Sequence, residues 1–258
     1  MIKTIVYGIN GKMGQILSEQ LLKESGMEIV AGIDRSKFDI KRTYPVYNSL
    51  YKYKGEVDVI IDFSHPSYLE RIIEYSLEKK TPLVIATTGF SQEQFEKIKM
   101  ASEEVPILYS SNMSLGINIL SKALREISQV LNKDFDIEII EKHHNNKADA
   151  PSGTAYLLAD VINEALGNSY KYIYGREGNN SKRENNEIGI HSIRGGTIPG
   201  EHTIIFAGSD EIIELKHTAL SKKIFAQGAI KASRFIVTAK KGFYTMDDIF
   251  NDDIQNLL

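Results

Sequence analysis

The run Glu141-Lys142-His143-His144-Asn145-Asn146-Lys147-Ala148-Asp149-Ala150-Pro151-Ser152-Gly153-Thr154 gathers the densest chemistry in the chain. Histidine titrates near neutral pH and so suits proton donation. Lysine supplies a compact cation, and a Ser-Gly-Thr at a helix start supplies exposed amides; together they suit a dianionic dicarboxylate. The plain alternative is a hydrophilic loop running into a capped helix. Four cooperating residue types at the end of a strand weigh against it. Six histidines could in principle hold a metal, but neither His-x-His nor His-x-x-x-His spacing occurs, so no metal site is expected.

A second constellation opens the chain. Gly8-Ile9-Asn10-Gly11-Lys12-Met13-Gly14 follows a short apolar run directly and leads into a helical pattern. Glycines at such a junction let the backbone turn tightly and bring helix N-terminal amides onto a pyrophosphate. The spacing is G-x-x-G-x-x-G and departs from the stricter G-x-G-x-x-G, and by itself such a turn is common punctuation. Asp34 strengthens the dinucleotide reading, because it ends the next strand 34 − 14 = 20 residues past the last glycine, where a carboxylate meets the adenosine ribose. Arg35 follows it. A carboxylate suits the 2′-hydroxyl of NADH and a guanidinium the 2′-phosphate of NADPH, so use of NADH, NADPH or both is open, with Lys12 as a further cation. A solvated charge pair at a strand end is the bland alternative. A magnesium-nucleotide loop is excluded, since Lys12 is followed by Met13 rather than Ser or Thr.

The elements that must hold these residues change character along the chain. Up to residue 112, nearly continuous apolar runs (Lys3 to Tyr7, Glu28 to Ile33, Val57 to Phe63, Pro82 to Ala86, Ile107 to Tyr109) alternate with amphipathic stretches. That is the rhythm of a parallel α/β sheet covered on both faces. Met13, Leu17, Leu21 and Leu22 share one helix face; Leu69, Ile72, Ile73 and Leu77 share another behind Pro66; Ser91 with Gln94 predicts a capped third helix. The strand ends carry Phe63-Ser64-His65-Pro66, Ala86-Thr87-Thr88-Gly89 and Ser110-Ser111-Asn112-Met113. Ligands bind at the carboxyl ends of such sheets, although Ser, Thr and Asn there also cap helices. Beyond residue 112 come a helix over Ile117 to Leu131, a strand over Phe135 to Glu141 and a helix over Ser152 to Leu166. Residues 167–187 are Asn-rich and read as a mobile loop. Successive strands follow at Ile188 to Arg194, Glu201 to Ala207 and Glu211 to Leu220, then a helix over Ile224 to Thr238. Strands without intervening helices predict a mixed or antiparallel sheet.

Composition narrows the partners. There are 31 Lys plus Arg against 34 Asp plus Glu, a net charge of −3, which speaks against nucleic-acid binding. The absence of cysteine excludes disulfides, thiolate catalysis and Cys-type metal sites, and fits a cytoplasmic location. No apolar run approaches the length of a membrane span, and no secretory leader is evident.

Taken together, GINGKMG, ATTGF, SSNMSLGIN, HHNNKADAPSGTA and RGGTIPGEHTIIFAG resemble the dihydrodipicolinate reductase family of bacterial lysine and diaminopimelate synthesis over nearly the whole chain. The resemblance implies an NAD(P)H-dependent oxidoreductase that reduces the cyclic imine formed from 4-hydroxy-tetrahydrodipicolinate, giving tetrahydrodipicolinate and water. It implies a Rossmann-type doubly wound parallel sheet formed by residues 1–113 and 222–258. An inserted α+β domain, 114–221, would bind substrate and assemble a homotetramer. Carried over by position, Gly8, Ile9, Asn10, Gly11, Lys12 and Met13 hold the pyrophosphate, and Asp34 and Arg35 the ribose. Ala86, Thr87 and Thr88 with Ser110, Ser111, Asn112 and Met113 take the nicotinamide end. His143 and Lys147 are the catalytic pair, and His144, Lys147, Ser152, Gly153 and Thr154 bind substrate. Ala86 stands where the family commonly has Gly, and Met113 where Phe is common. Hydride attack at an imine carbon needs a positioned acid, and either His143 or Lys147 could serve. The competing readings are another dehydrogenase of the same fold, a nucleotide-sensing regulator, and a scaffold that binds cofactor without catalysis. The first has no need for the cluster from His143 to Thr154, nothing supplies the DNA-binding helix pair or basic face usual for the second, and the presence of both His143 and Lys147 counts against the third.

Overall fold

The computed structural model describes residues 1–35, 41–132 and 134–255, the side chains of 251–255 excepted. In chain order the elements are β1 (Ile2–Tyr7), α1 (Lys12–Leu21), β2 (Met27–Ile33), β3 (Val46–Tyr47), β4 (Val59–Asp62), α2 (Leu69–Lys79), β5 (Leu83–Ile85), α3 (Gln92–Ser102) and β6 (Pro106–Tyr109). Then come α4 (Leu115–Leu131), β7 (Asp136–His143), α5 (Gly153–Ala165), β8 (Lys171–Tyr174), β9 (Glu187–Arg194), β10 (Gly200–Ala207) and β11 (Ile212–Ala219). The chain closes with α6 (Lys223–Ile236), β12 (Gly242–Tyr244) and α7 (Met246–Gln255). They form two compact units, Met1–Leu115 with Lys222–Leu258, and Gly116–Ser221.

The first unit is a parallel sheet of order β12-β6-β5-β4-β1-β2-β3. Alternate residues of each strand point to opposite faces, and both faces are covered, so the strands must be apolar throughout. On one face Val6, Val59, Ile61, Val84 and Leu108 pack with Leu17 and Leu21 of α1 and Ala226, Ala229 and Ile230 of α6. On the other, Ile5, Ile60, Leu83, Ile85 and Ile107 pack with Leu69, Ile72 and Ile73 of α2 and Ile98 of α3. The chain leaves β1 outward to β2 and β3, then returns to β4 on β1's other side. Such a reversal opens a crevice at the carboxyl ends of the two central strands.

The second unit is a five-stranded mixed sheet, β11-β10-β7-β9-β8. β7, β8 and β9 run parallel, while β10 is antiparallel to both β7 and β11. Ile137, Ile139, Ile188, Ile190, Ile204 and Phe206 meet Ile117, Leu124, Ala155, Leu158 and Ile162 of α4 and α5. The opposite face is polar. Glu138 there accepts from Arg176 and Arg183 and pairs with His191, and Glu201 lies between Lys142 and Lys216.

The parallel and mixed sheets are those the sequence predicts, with three differences. Leu22 is not on the buried face of α1: the helix stops at Leu21, and Leu22 is 60% exposed. Residues 167–187 are not loop throughout, for β8 lies among them, paired with β9, and Arg176 and Arg183 tie the segment to Glu138. The edge strands β3 and β12, two and three residues long, and the acidic α7 carry patterns too short or too polar to be read. Ser91 does cap α3, in a reciprocal box with Gln94.

Candidate active site

In the first unit the glycine-rich loop leaves the end of β1. Gly8 has φ +81°, and a Cβ there would lie 2.6 Å from the Phe63 carbonyl oxygen, so only glycine lets the ends of β1 and β4 approach. A Cβ on Gly14 would lie 2.1 Å from the Gly8 oxygen, so this glycine seats α1 on the loop. Gly11 is the N-cap of α1, with no side chain capping it and no acidic residue in the first turn. The helix therefore presents its amides and the positive end of its dipole. Gly8, Asn10, Gly11, Asp34 and Arg35 line one cleft of about 360 Å³, with Tyr7, Phe63, Ser64 and Tyr68. The Asn10 backbone N–H donates to Asp34 Oδ2 at 3.0 Å, which fixes the carboxylate at the cleft edge. The Arg35 guanidinium lies 5.3 Å from the Tyr68 ring centre.

These residues fit a dinucleotide: a glycine turn and helix N-terminus for the pyrophosphate, and a carboxylate beside a guanidinium for the ribose. Other expected positions contribute differently. The Ile9 side chain is fully buried, against Gly32, leaving its backbone for the loop. Lys12 is exposed and Met13 half-buried at the start of α1, outside the residues that line the cleft. At the next strand ends, Ser64 N–H donates to Asp62 Oδ1 at 3.0 Å and to Thr87 Oγ1 at 2.9 Å. Burial pushes the Asp62 carboxyl up to about 6 although Ser64 and Thr87 oppose it. Ala86 donates its N–H to the Asp62 carbonyl, and Ser110 Oγ donates to the Asn112 carbonyl. Thr88 and Ser111 are exposed; Met113 is buried in the core.

In the second unit β7 delivers Glu141 and His143 to the same end of the sheet. Glu141 is fully buried, and its carboxylate takes both ends of the Arg194 guanidinium, at 2.6 and 2.7 Å. It also accepts from the Ser152 backbone N–H at 3.1 Å and pairs with His143 Nδ1 at 2.6 Å. Burial would raise Glu141, but Arg194, His143 and Ser192 outweigh it and hold the group at about 2. Burial lowers His143, with Glu141 opposing that shift. Ser152 caps α5: its Oγ accepts from the Ala155 N–H and shares a 2.7 Å hydrogen bond with His202 Nε2. The Ser152 hydroxyl is therefore occupied by the fold, and Gly153, exposed at the first helical position, offers backbone to a ligand. Lys147 Nζ meets both Asp149 oxygens at 2.8 Å, and its backbone N–H donates to the His144 carbonyl. His144 itself is exposed, and Thr154 is half-buried in the first turn of α5. The arrangement joins a titratable imidazole, a primary ammonium and a helix N-terminus, which is what protonating a reacting anion and holding carboxylates require.

Residues 2–113 match the family model described as dihydrodipicolinate reductase, N-terminus, and residues 116–250 the one described as dihydrodipicolinate reductase, C-terminus. The chain belongs to the dihydrodipicolinate reductase family. Among its relatives, the 4-hydroxy-tetrahydrodipicolinate reductase of Clostridium tetani is 50% identical over 97% of this chain and 98% of its own. That of Caldanaerobacter subterraneus subsp. tengcongensis is 47% identical over 96% of this chain and 98% of its own. A dipicolinate-bound dihydrodipicolinate reductase from Paenisporosarcina sp. TG-14 superposes with a TM-score of 0.79 at 26% identity, covering 95% of this chain and 97% of that one. As a member of the dihydrodipicolinate reductase family, the chain is an NAD(P)H-dependent oxidoreductase acting on a cyclic imine. Among the described residues no helix is long and apolar enough to cross a membrane.

Two site features escape sequence reasoning. Arg42 donates to Asn10 Oδ1 at 2.8 Å and to the Ile9 carbonyl at 3.3 Å, setting a second guanidinium against the family's glycine loop. Arg194 reaches Glu141 because β9 lies beside β7, a pairing that no local spacing encodes.

Proposed function

We propose that this chain reduces 4-hydroxy-tetrahydrodipicolinate to tetrahydrodipicolinate in the route to diaminopimelate and lysine, working in the cytoplasm as a homotetramer. The reaction adds one hydride and one proton to the substrate and releases one water, oxidising NAD(P)H to NAD(P)⁺. The observation that carries this reading is the passage from His143 to Gly153, where a proton source, an ammonium and a helix N-terminus sit on one strand, loop and helix start.

The first unit acts as the dinucleotide-binding part. Gly8 to Met13 hold the pyrophosphate, Asp34 and Arg35 the ribose, and the ends of β5 and β6, from Ala86 to Thr88 and Ser110 to Met113, the nicotinamide end. The nicotinamide, when bound, supplies the hydride. The second unit holds the dicarboxylate through Lys147, His144 and the start of α5, where Ser152 sets the helix end and Gly153 and Thr154 face the substrate. His143 is the proton donor; its charge is available near neutral pH only with help, since burial works against it. Lys147 pairs with a substrate carboxylate in place of Asp149. The helix-free, charged face of the second sheet supports assembly through that sheet.

The test couples the purified protein to dihydrodipicolinate synthase, which supplies the unstable substrate, and follows the loss of near-ultraviolet absorbance of NADH or NADPH. Oxidation of cofactor only when synthase is present is the expected result. No oxidation with either cofactor, while both bind, would remove the assignment.

A further inference from the structure

Among the described residues, the His143 ring makes its hydrogen bond through Nδ1, to Glu141. Its Nδ1 lies 2.6 Å from Glu141 Oε2, and a carboxylate held at about 2 has no proton to give, so Nδ1 carries the hydrogen. That fixes the tautomer and leaves Nε2 as the atom that exchanges protons with a ligand. Nε2 lies beside Gly200, where a Cβ would come within 3.1 Å of it; the missing side chain keeps this edge of the ring clear. Glu141 is itself immobilised by Arg194 across β9 and by the Ser152 N–H at the start of α5.

We infer that Glu141 is the positioning residue of the proton transfer: clamped by Arg194, it aims Nε2 of His143 outward and supplies the negative charge that lets the imidazole carry a second proton. The inference rests on the reading of His143 as the proton donor. The groups facing His143 are Glu141 on its own strand, Arg194 from β9, Lys147 from the following loop and His202 from β10, whose ring centre is 5.3 Å away. Arg194 and Lys147 are cations and disfavour an imidazolium, and His202, pushed down to about 4 by burial and by His143, adds no negative charge. Glu141 is the one anion in contact with the ring among the described residues. A neutral His143 could accept a proton at Nε2 but could not donate one there, so the carboxylate decides the direction in which the residue works.

The experiment follows the His143 ring nitrogens by ¹⁵N NMR across pH in the full-length protein and in Glu141→Gln, and measures the pH profile of kcat with saturating NADH in both. Glu141→Asp, which keeps the charge paired to Arg194 on a shorter arm, is the companion variant if Glu141→Gln does not fold. The expected results are a drop of about one pH unit or more in the His143 titration in Glu141→Gln, a matching shift of the alkaline limb of kcat to lower pH, and a kcat near pH 7.5 lower by roughly a hundredfold. KM for the substrate stays within a few-fold, and Glu141→Asp recovers part of the rate. An unchanged His143 titration and tautomer in both variants overturns the inference. A shifted titration with an unmoved kcat profile upholds Glu141 as the group that orients His143 and removes His143 as the donor instead.

Discussion

Arg194 grips both carboxylate oxygens of the fully buried Glu141, at 2.6 and 2.7 Å, from the neighbouring parallel strand. The same guanidinium donates to the Asp149 carbonyl at 2.6 Å, so one side chain fastens the strand that carries His143 to the loop that carries Lys147. Lys cannot replace this planar, two-pronged contact.

Arg194→Ala leaves a buried carboxylate without its partner, and a loss on the order of 3–5 kcal/mol in urea unfolding at pH 7 is the expected outcome. The pH dependence identifies the cause. Glu141 is lowered to about 2 in the folded chain, so its contribution is present above its ordinary value of 4.5 and lost as pH falls toward 2. The gap between wild type and Arg194→Ala narrows across that window. A gap that stays constant down to pH 3 would place the loss elsewhere.

Asp62 behaves in the opposite sense. Its folded value of about 6 exceeds the ordinary 3.8, so burial favours the neutral acid, and that contribution is lost as pH rises through 6. Asp62→Asn keeps an oxygen for the Ser64 N–H and removes the cost of the charge. The variant matches wild type near pH 4 and becomes more stable above pH 6, by roughly 2–3 kcal/mol at most. Chemical denaturation at four pH values checks the sign; a variant weaker than wild type at pH 7 contradicts it.

Lys147→Ala is expected to lower turnover by roughly a thousandfold while NADH binds as before, because Lys147 belongs to the unit that lacks the glycine loop. Stopped-flow rates with coupled substrate supply, set beside NADH fluorescence titration, separate the two quantities. Near-normal turnover would end the assignment.

Gly14→Ala places a methyl carbon 2.1 Å from a backbone oxygen that cannot retreat without moving the loop. A loss of about 1–3 kcal/mol in stability and a marked weakening of cofactor binding are expected together. Thermal melts with and without NADH resolve both.

On the proposed reading, Arg35 in the cleft lining and Arg42 against the glycine loop favour NADPH over NADH. Removing either cation should weaken NADPH about tenfold or more relative to NADH, since a charge-assisted contact to a phosphate is worth ~1.5–3 kcal/mol. The ratio of the two kcat/KM values, measured for Arg35→Ala and Arg42→Ala, reads this directly.

Much of the frame was legible because it rests on local chemistry. Apolar runs flanked by glycine and helical spacing disclose β1, β2 and β4 to β6, and Ser91 with Gln94 or Ser152 before Gly153 discloses two helix starts. What was not legible depends on neighbours far along the chain. The pairing of Glu141 with Arg194 spans 53 residues and follows from β7 lying beside β9. β8 hid in an Asn-rich stretch because this edge strand is only four residues long, with Lys171 and Tyr174 exposed and only Tyr172 packed on the core. Leu22 misled because period alone does not say where α1 stops. The role of the Ser152 hydroxyl needed His202, brought in by β10.

The split of the first unit also bears on how the protein is made. Its sheet face over Val6, Ile61 and Val84 is closed by Leu17 and Leu21 of α1 together with Ala226, Ala229, Ile230 and Ile236 of α6, a helix that follows the inserted unit in the chain. The segment from Gly116 to Ser221 has its strands and helices complete before then. During synthesis this face of the first unit therefore lacks its α6 cover until after the inserted unit has emerged.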